Sequence, residues 1–385
     1  MIPVFPEAGI EVADLACAVA EQTGAGARFA GLFAAGCPDG SILISAVLAW
    51  PGRLGVLEVS LAPGELAYPA LTPKVPGATW YERELHDLFG LEPLGHPRLD
   101  ALVLPLQNGA LRPMPGMKDG PARLEAGEEP LPFHVIGEGL FTIPYGPVRS
   151  GVFESVQYLV ETPGEEIPHL RTRVYHKHRG LARRFEAMSI DDGVLLAERV
   201  EGTTSVAQAW AFSQAVESIG ASEVPPRASL LRLVHAELER LANHLDSMIR
   251  HCEGSGQAVA YARLSLHKER VLRLQARLCG HRFGRGVVVP GGVAGAPLLG
   301  VKAALSEVLT LQRGLRGDLT LLMETPSFLD RLRTAGRLAS DVARAHGALG
   351  PIGRASGLAE DARQSRPYGP YDLLGFEPAA VRSAG

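Results

Sequence analysis

Several residue groups in this chain have the types and spacing to do chemistry. His169, His176 and His178 lie beside Lys177 and Arg179. On an extended strand His176 and His178 point to one face, where two imidazoles could share a zinc or nickel ion. With no Cys or carboxylate run nearby, a solvated basic edge with one packed histidine is the plainer reading. Glu198-Arg199-Val200-Glu201-Gly202-Thr203-Thr204-Ser205 leads into an apolar run, and Ser205 followed by Gln208 makes a capping box. Arg199 and a glycine-containing turn are thus expected at a helix N-terminus, where open N–H groups and the dipole favour an electron-rich or anionic guest. As pattern alone, an ordinary capped helix with a surface Arg serves as well. Glu237 and Arg240 are three apart on one predicted helix and can pair, and His244 flanks its apolar stripe, which suits a structural ion pair and a satisfied core histidine. Pro290-Gly291-Gly292-Val293 reads as a tight turn where backbone can approach a ligand or another chain. Cys17, Cys37, Cys252 and Cys279 form no C-x-x-C pair. Neither a disulfide framework nor a thiolate metal site can be read from them, and a reducing compartment fits.

The elements that must position these groups follow from periodicity. Residues 12–22 carry Leu15, Ala18 and Val19 at helical spacing. Residues 41–50 and 54–61 read as strands joined at Pro51-Gly52. A helix is expected from Thr79 to near Gly90, with Thr79 as N-cap and Glu82 as its capping-box partner. Residues 1–104 then make a small α+β domain, and 105–132, rich in Pro, Gly and charge, make a linker. The second domain, 133–385, opens with β-like pieces at 140–144 and 152–160 and turns helical after Asp191. Ala209, Trp210, Phe212 and Val216 form the apolar face of the helix that Gly220 ends. Pro225-Pro226 pre-sets a long helix in which Leu231, Val234, Leu238, Leu241, Leu245 and Met248 are expected to be core, up to Cys252. Further helices are expected at 258–278, 301–323 and 327–345. The fold class is α+β: a small N-terminal α/β-sandwich-like domain followed by a mainly helical bundle domain with an N-terminal β subdomain.

Composition narrows the function. Lys+Arg 38 against Asp+Glu 42 leaves a net charge of -4, without the basic surplus of a nucleic-acid footprint or an acidic tail. Nearly all the basic residues are Arg, read as composition bias. The 385 residues suit two or three domains at about 150 residues each. Acidic residues and Pro occupy the start of the chain, where a signal peptide would carry a basic region and an apolar core. The longest apolar stretch, 42–50, is about half of the roughly 20 residues a membrane span needs.

Tyr81-Glu82-Arg83-Glu84-Leu85-His86-Asp87-Leu88-Phe89-Gly90, with Gly95-His96-Pro97, resembles a motif of the 30-kilodalton subunit of respiratory complex I. The second segment resembles the 49-kilodalton subunit and the large subunits of membrane-bound nickel–iron hydrogenases. The matching pieces include Gly146-Pro147-Val148, His178-Arg179-Gly180, Glu198-Arg199 with Ser205, Ala215-Val216-Glu217, Glu239-Arg240-Leu241 with Asn243-His244-Leu245, Pro290-Gly291-Gly292-Val293 and Arg354-Ala355-Ser356-Gly357 with Pro367-Tyr368. The order is that of a fused large subunit. The resemblance puts nickel- and iron-holding cysteines where Glu201 and Thr204 stand, and the family's second C-x-x-C lies past the matching part of this chain. Its proton-passing acid is Ala182 here, and its His after Gly-Pro-Val is Arg149. Complex I has quinone-headgroup partners, a Tyr and a His, in the turn that here holds Gly202 and Thr204. Arg199 keeps the family's Arg beside a partner's terminal iron–sulfur cluster.

What the resemblance implies is a peripheral-arm subunit of a complex I-like or hydrogenase-related oxidoreductase on the cytoplasmic side of the cell membrane. It would hold no metal itself and form a cavity, open to quinone, beside a 4Fe-4S cluster in a small iron–sulfur partner. Ferredoxin-like and membrane ion-pumping subunits would complete the assembly, with no nucleic acid. Arg199, Glu201 and His178 are the implied reactive residues, and Gly202, Thr204, Arg149, Gly291 and Gly292 the implied binding positions. The alternatives are a structural or assembly subunit without chemistry and a true nickel–iron hydrogenase.

Overall fold

The computed structural model describes residues 4–7, 10–103, 139–148, 155–174, 177–333 and 335–375. Their packing falls into two units, one of residues 2–183 with 338–367 and one of residues 184–337 with 368–376.

The first unit is built on a four-stranded sheet. Strand β1 (Val4–Glu7) runs parallel to β4 (Arg53–Leu61), which continues antiparallel to β3 (Ile42–Trp50) and then β2 (Arg28–Gly36). β3 and β4 are the expected hairpin, with Gly52 at φ 76° in the turn. β1 and β2 are strands that periodicity alone did not separate from loop. Ile42, Ile44, Ala46 and Leu48 alternate into the core, as a half-buried strand requires. The core also takes Leu15 and Val19 of helix α1 (Leu15–Gly24), and Leu85, Leu88 and Phe89 of α2 (Thr79–Phe89). Between them β5 (Ala67–Pro69) pairs with β6 (Glu92–Leu94).

α2 carries the long charged motif, and its polar residues are committed to nearby backbone. Glu82, fully buried, does not close a capping box on Thr79, whose hydroxyl donates to the Pro76 carbonyl instead. Glu82 accepts from the Leu71 and Thr72 amides at 2.7 and 3.0 Å and from Thr72 Oγ1 at 2.5 Å. Arg83 Nε donates to the Asp100 carbonyl at 2.8 Å, and Asp87 Oδ2 accepts from the Leu102 and Val103 amides at 2.8 Å each. Buried polar groups persist only when satisfied in this way, so the motif staples two loops, around Leu71–Thr72 and Asp100–Val103, to one helix.

The chain resumes with an antiparallel sheet of β7 (Phe141–Tyr145), β8 (Gln157–Thr162) and β9 (His169–Arg173); the expected linker lies outside the described residues. After α3 (Leu181–Phe185) the second unit is helical: α4 (Ile190–Ala197), α5 (Ser205–Ile219), α6 (Pro226–Gly254), α7 (Ala258–Cys279), the short hairpin β10 (Val288–Val289) and β11 (Gly292–Val293), α8 (Val301–Met323) and α9 (Pro326–Leu332). Gly280 ends α7 at φ 83°, the left-handed cap that glycine adopts without strain.

Two expectations about the helices are corrected. The α6 stripe is core only in its second half, where Leu238, Leu245 and Cys252 are buried; Val234 is exposed, and Arg232, His235 and Glu239 lie inside. Helix 327–345 is two helices, because α9 stops at Leu332 and α10 (Ser340–Ala345) starts after Gly336, which has φ 65°. α10, α11 (Gly350–Ala355) and α12 (Ala362–Ser365) belong to the first unit, where Ser365 O accepts from Gly52 N–H at 2.6 Å and Arg366 Nη1 donates to Trp50 O at 3.2 Å. Residues 368–375 return to the second unit, with Tyr368 against Trp210 and Tyr371 buried.

Candidate functional site

The site centres on the turn between α4 and α5, held by α6 and by the loop 281–286. Ser189 caps α4, its Oγ accepting from the Asp192 amide at 3.1 Å. At the other end Glu198 is buried and its carboxylate takes the Gly286 N–H. Arg199 does not sit at a helix N-terminus as expected. Its Nη1 donates back to the Leu195 carbonyl and lies 3.8 Å from Glu198 Oε2, so the guanidinium answers the open carbonyls at the C-terminus of α4, where the dipole favours a cation. The Arg199 side chain is 51% exposed.

Glu201 closes the turn on itself. Its Oε2 accepts from Thr203 N and Oγ1 at 2.8 Å each and from Thr204 Oγ1 at 3.1 Å. A Cβ on Gly202 would meet open space, so packing does not demand glycine there. The Ser205 capping box is not formed: Ser205 is the first helical residue, fully buried, and its Oγ accepts from Arg285 Nε at 3.3 Å. The cap comes from α6 instead. Glu239 accepts from the Val206 and Ala207 amides at 2.7 and 3.0 Å, satisfying two open donors of α5. One turn further on, Asn243 Nδ2 donates to the Thr203 and Glu239 carbonyls at 2.9 and 3.0 Å. Glu239, Asn243 and Arg285 were missed as site residues. Glu239 and Asn243 were legible only as letters of the family resemblance, and nothing in the sequence pointed to Arg285.

Burial pushes the Glu239 carboxyl up to about 7, against the two amide bonds that favour its anion and with the Glu201 charge adding to the rise. His281 is held below its ordinary value, first by burial and then by Arg285 and Arg199, with Glu198 opposing. Arg199, Glu198, His281 and Arg285 therefore share one electrostatic neighbourhood. Thr203, Glu239, Asn243, Lys268 and Gln275 border a cavity of about 20 Å³, room for about one water where a benzene-sized ring takes about 150 Å³. A quinone headgroup does not fit inside this cavity beside the turn.

The remaining expected residues lie elsewhere. Gly291 and Gly292 are fastened by a buried ion pair: Glu217 accepts from Gly291 N–H at 2.8 Å, Arg232 Nε donates to the Gly292 carbonyl at 2.9 Å, and Arg232 Nη2 meets Glu217 Oε1 at 2.6 Å. Glu217 follows Ser205 by about 18 Å along α5 at 1.5 Å per residue, so these glycines are at the opposite end of α5 from the turn. His178 is exposed and belongs to the other unit; Arg149 and His176 lie outside the described residues. Glu237 and Arg240 pair at 3.1 Å, with Tyr371 donating to Glu237, whereas His244 is exposed rather than core. Among the described residues no group of three or more His, Cys, Asp or Glu is placed to hold a metal. The donor set of the turn, a carboxylate and a hydroxyl already bonded to each other, does not fit a soft nickel–iron centre, which needs thiolates.

Two family models match the chain: the 49 Kd subunit of respiratory-chain NADH dehydrogenase over residues 256–385 and its 30 Kd subunit over residues 43–123. The chain is 30% identical to formate hydrogenlyase subunit 5 of Escherichia coli over 80% of its own length and 56% of that protein's. It is 29% identical to the C/D subunit of NADH-quinone oxidoreductase of Nitrosospira multiformis, over 83% and 56%. It is 30% identical to the carbon monoxide-induced hydrogenase of Rhodospirillum rubrum, over 62% and 67%. The chain thus spans about half the length of the first two relatives. A chain of the membrane-bound sulfane sulfur reductase, an archaeal respiratory membrane complex, superposes with a TM-score of 0.59 and 25% identity over 64% of this chain and 66% of that one. The protein belongs to the family of complex I 30- and 49-kilodalton-type subunits and the hydrogenase subunits related to them.

Proposed function

We propose that this chain is a peripheral-arm subunit of a membrane-bound, complex I-like oxidoreductase on the cytoplasmic face, whose 198–205 turn forms a metal-free wall beside a 4Fe-4S cluster held by a small iron–sulfur partner. The observation that carries this reading is the state of the turn. Glu201 and Thr204 stand where the resemblance implies metal-holding thiolates, and both are bonded into a closed knot, while the Arg199 guanidinium beside them stays half exposed. Fixed positive charge next to a cluster stabilises its reduced form, and more strongly in a dry interface than at a free surface. A quinone acceptor beside this turn is bounded in part by the partner, since the cavity that Thr203, Glu239 and Asn243 border is too small for its ring. Electron flow then couples to ion translocation through ferredoxin-like and membrane subunits of the assembly.

The second reading is a structural or assembly subunit, favoured by the same knot: Glu201, Glu239 and Asn243 are all committed to holding backbone. Potentiometric EPR on complexes purified with wild-type chain and with Arg199→Met separates the two. The first reading expects a lower cluster potential and slower turnover in an intact complex. An unchanged potential with unchanged turnover gives the protein to the scaffold reading. Elemental analysis of the same wild-type sample is expected to show no stoichiometric nickel.

A further inference from the structure

Lys74 Nζ lies 2.8 Å from Cys17 Sγ, across 57 positions of sequence. An N–H···O bond has its mode at about 2.9–3.0 Å, and sulfur is the larger atom, so this nitrogen and sulfur are in unusually close contact. Both backbones are fixed. Cys17 sits on α1, whose Leu15, Ala16 and Val19 are locked in the core. Lys74 follows the loop whose Leu71 and Thr72 amides are held by Glu82, and its own N–H donates to the Leu71 carbonyl at 3.0 Å. Both side chains are exposed, so a small oxidant reaches them. Only five of the 38 basic residues are lysines, and an amine can shed its proton to become a nucleophile where a guanidinium cannot.

We propose that Cys17 and Lys74 are a redox-controlled modification site, closed by peroxide into a covalent N–O–S bridge between Nζ and Sγ and opened by thiol reductants. One peroxide converts the Cys17 thiol to sulfenic acid and leaves as water. A second peroxide couples the sulfenic acid to the amine by oxidising nitrogen: the N–O bond forms, the S–O bond is kept, and two waters leave. Sulfur and nitrogen each lose two electrons, and each peroxide takes up two. Two dithiol molecules return the four electrons and restore thiol, amine and one water. The bridge ties α1 to the β5–α2 loop and closes a long loop of the sheet unit, which constrains the unfolded chain.

The test is to treat the reduced full-length chain with hydrogen peroxide, digest it and map the peptides by mass spectrometry. The expected product joins the Cys17 and Lys74 peptides with one oxygen gained and two hydrogens lost, about 14 Da, and dithiothreitol separates them. The oxidised chain should also melt at a higher temperature than the reduced one. Cys17→Ser and Lys74→Arg, both conservative at exposed positions, should each abolish the joined species, and in Lys74→Arg Cys17 should run on to sulfinic acid. Wild-type chain in which Cys17 ends as sulfinic acid, as a disulfide with Cys37 or unmodified, with Lys74 free, overturns the proposal.

Discussion

At the scale of single residues, Glu239 is the group most sensitive to its surroundings. Its folded-state pKa is raised to about 7 from 4.5, so between those values the folded chain holds a proton that the unfolded chain has released. Its contribution to stability is therefore complete below pH 4.5 and is lost as pH rises through 7, by on the order of 3 kcal/mol. Glu239→Gln removes that titration. Urea unfolding at pH 5 and pH 8 should show the wild type losing more stability than the variant over this interval, and equal losses would mean that Glu239 is ionised throughout. The residue was legible only as one letter of a family motif. What made it a cap was the approach of α6 to an α5 terminus more than thirty positions away, which no local pattern encodes.

At the scale of elements, α5 is held at both ends by partners distant in sequence. At its start, Gly284 has φ 63°, and a Cβ there would come within 2.4 Å of Gln275 Nε2 and 2.5 Å of Val206 Cγ2. Gly284→Ala combines left-handed strain with a steric clash, so a loss of about 2–4 kcal/mol is expected, together with loosening of the 281–286 loop measured as faster amide exchange at Gly286. Wild-type exchange and stability would contradict the packing described. At its end, Arg232→Met strands the buried Glu217 carboxylate and should cost about 3–5 kcal/mol, much of it recovered in the double variant Arg232→Met/Glu217→Leu. If the double variant is as unstable as the single one, the cost lies in the lost hydrogen bonds to the β10–β11 hairpin instead.

At the scale of the whole molecule, large apolar side chains stand exposed in groups among the described residues. On α8, Val301, Leu305, Leu309, Leu321 and Met323 are all exposed, and on β7 so are Phe141, Ile143 and Tyr145. Patches of this kind mark contact surfaces or aggregation sites. The chain expressed alone should self-associate, and co-expression with the small iron–sulfur subunit proposed as its partner should yield a stable, monodisperse assembly by size-exclusion chromatography with light scattering. A monodisperse monomer that ignores that subunit would count against the proposed docking role. No described helix is long and apolar enough to cross a membrane.

The sequence by itself determined the fold class, the family and most helix positions. These depend on local quantities: the 3.6-residue period that set 301–323 as one helix, the glycine that ended α7, the alternation that made β3 a strand. The motif around Glu82 was equally legible as a family mark. Only the tertiary structure decided what its charges do, because a buried carboxylate is satisfied by whichever amides the fold delivers, here those of Leu71 and Thr72. The same cause moved Arg199 from the start of one helix to the end of another and handed the cap of α5 from Ser205 to Glu239. Local propensity weighs each residue against its neighbours in sequence, whereas the free energy of a desolvated polar group is set by its neighbours in space.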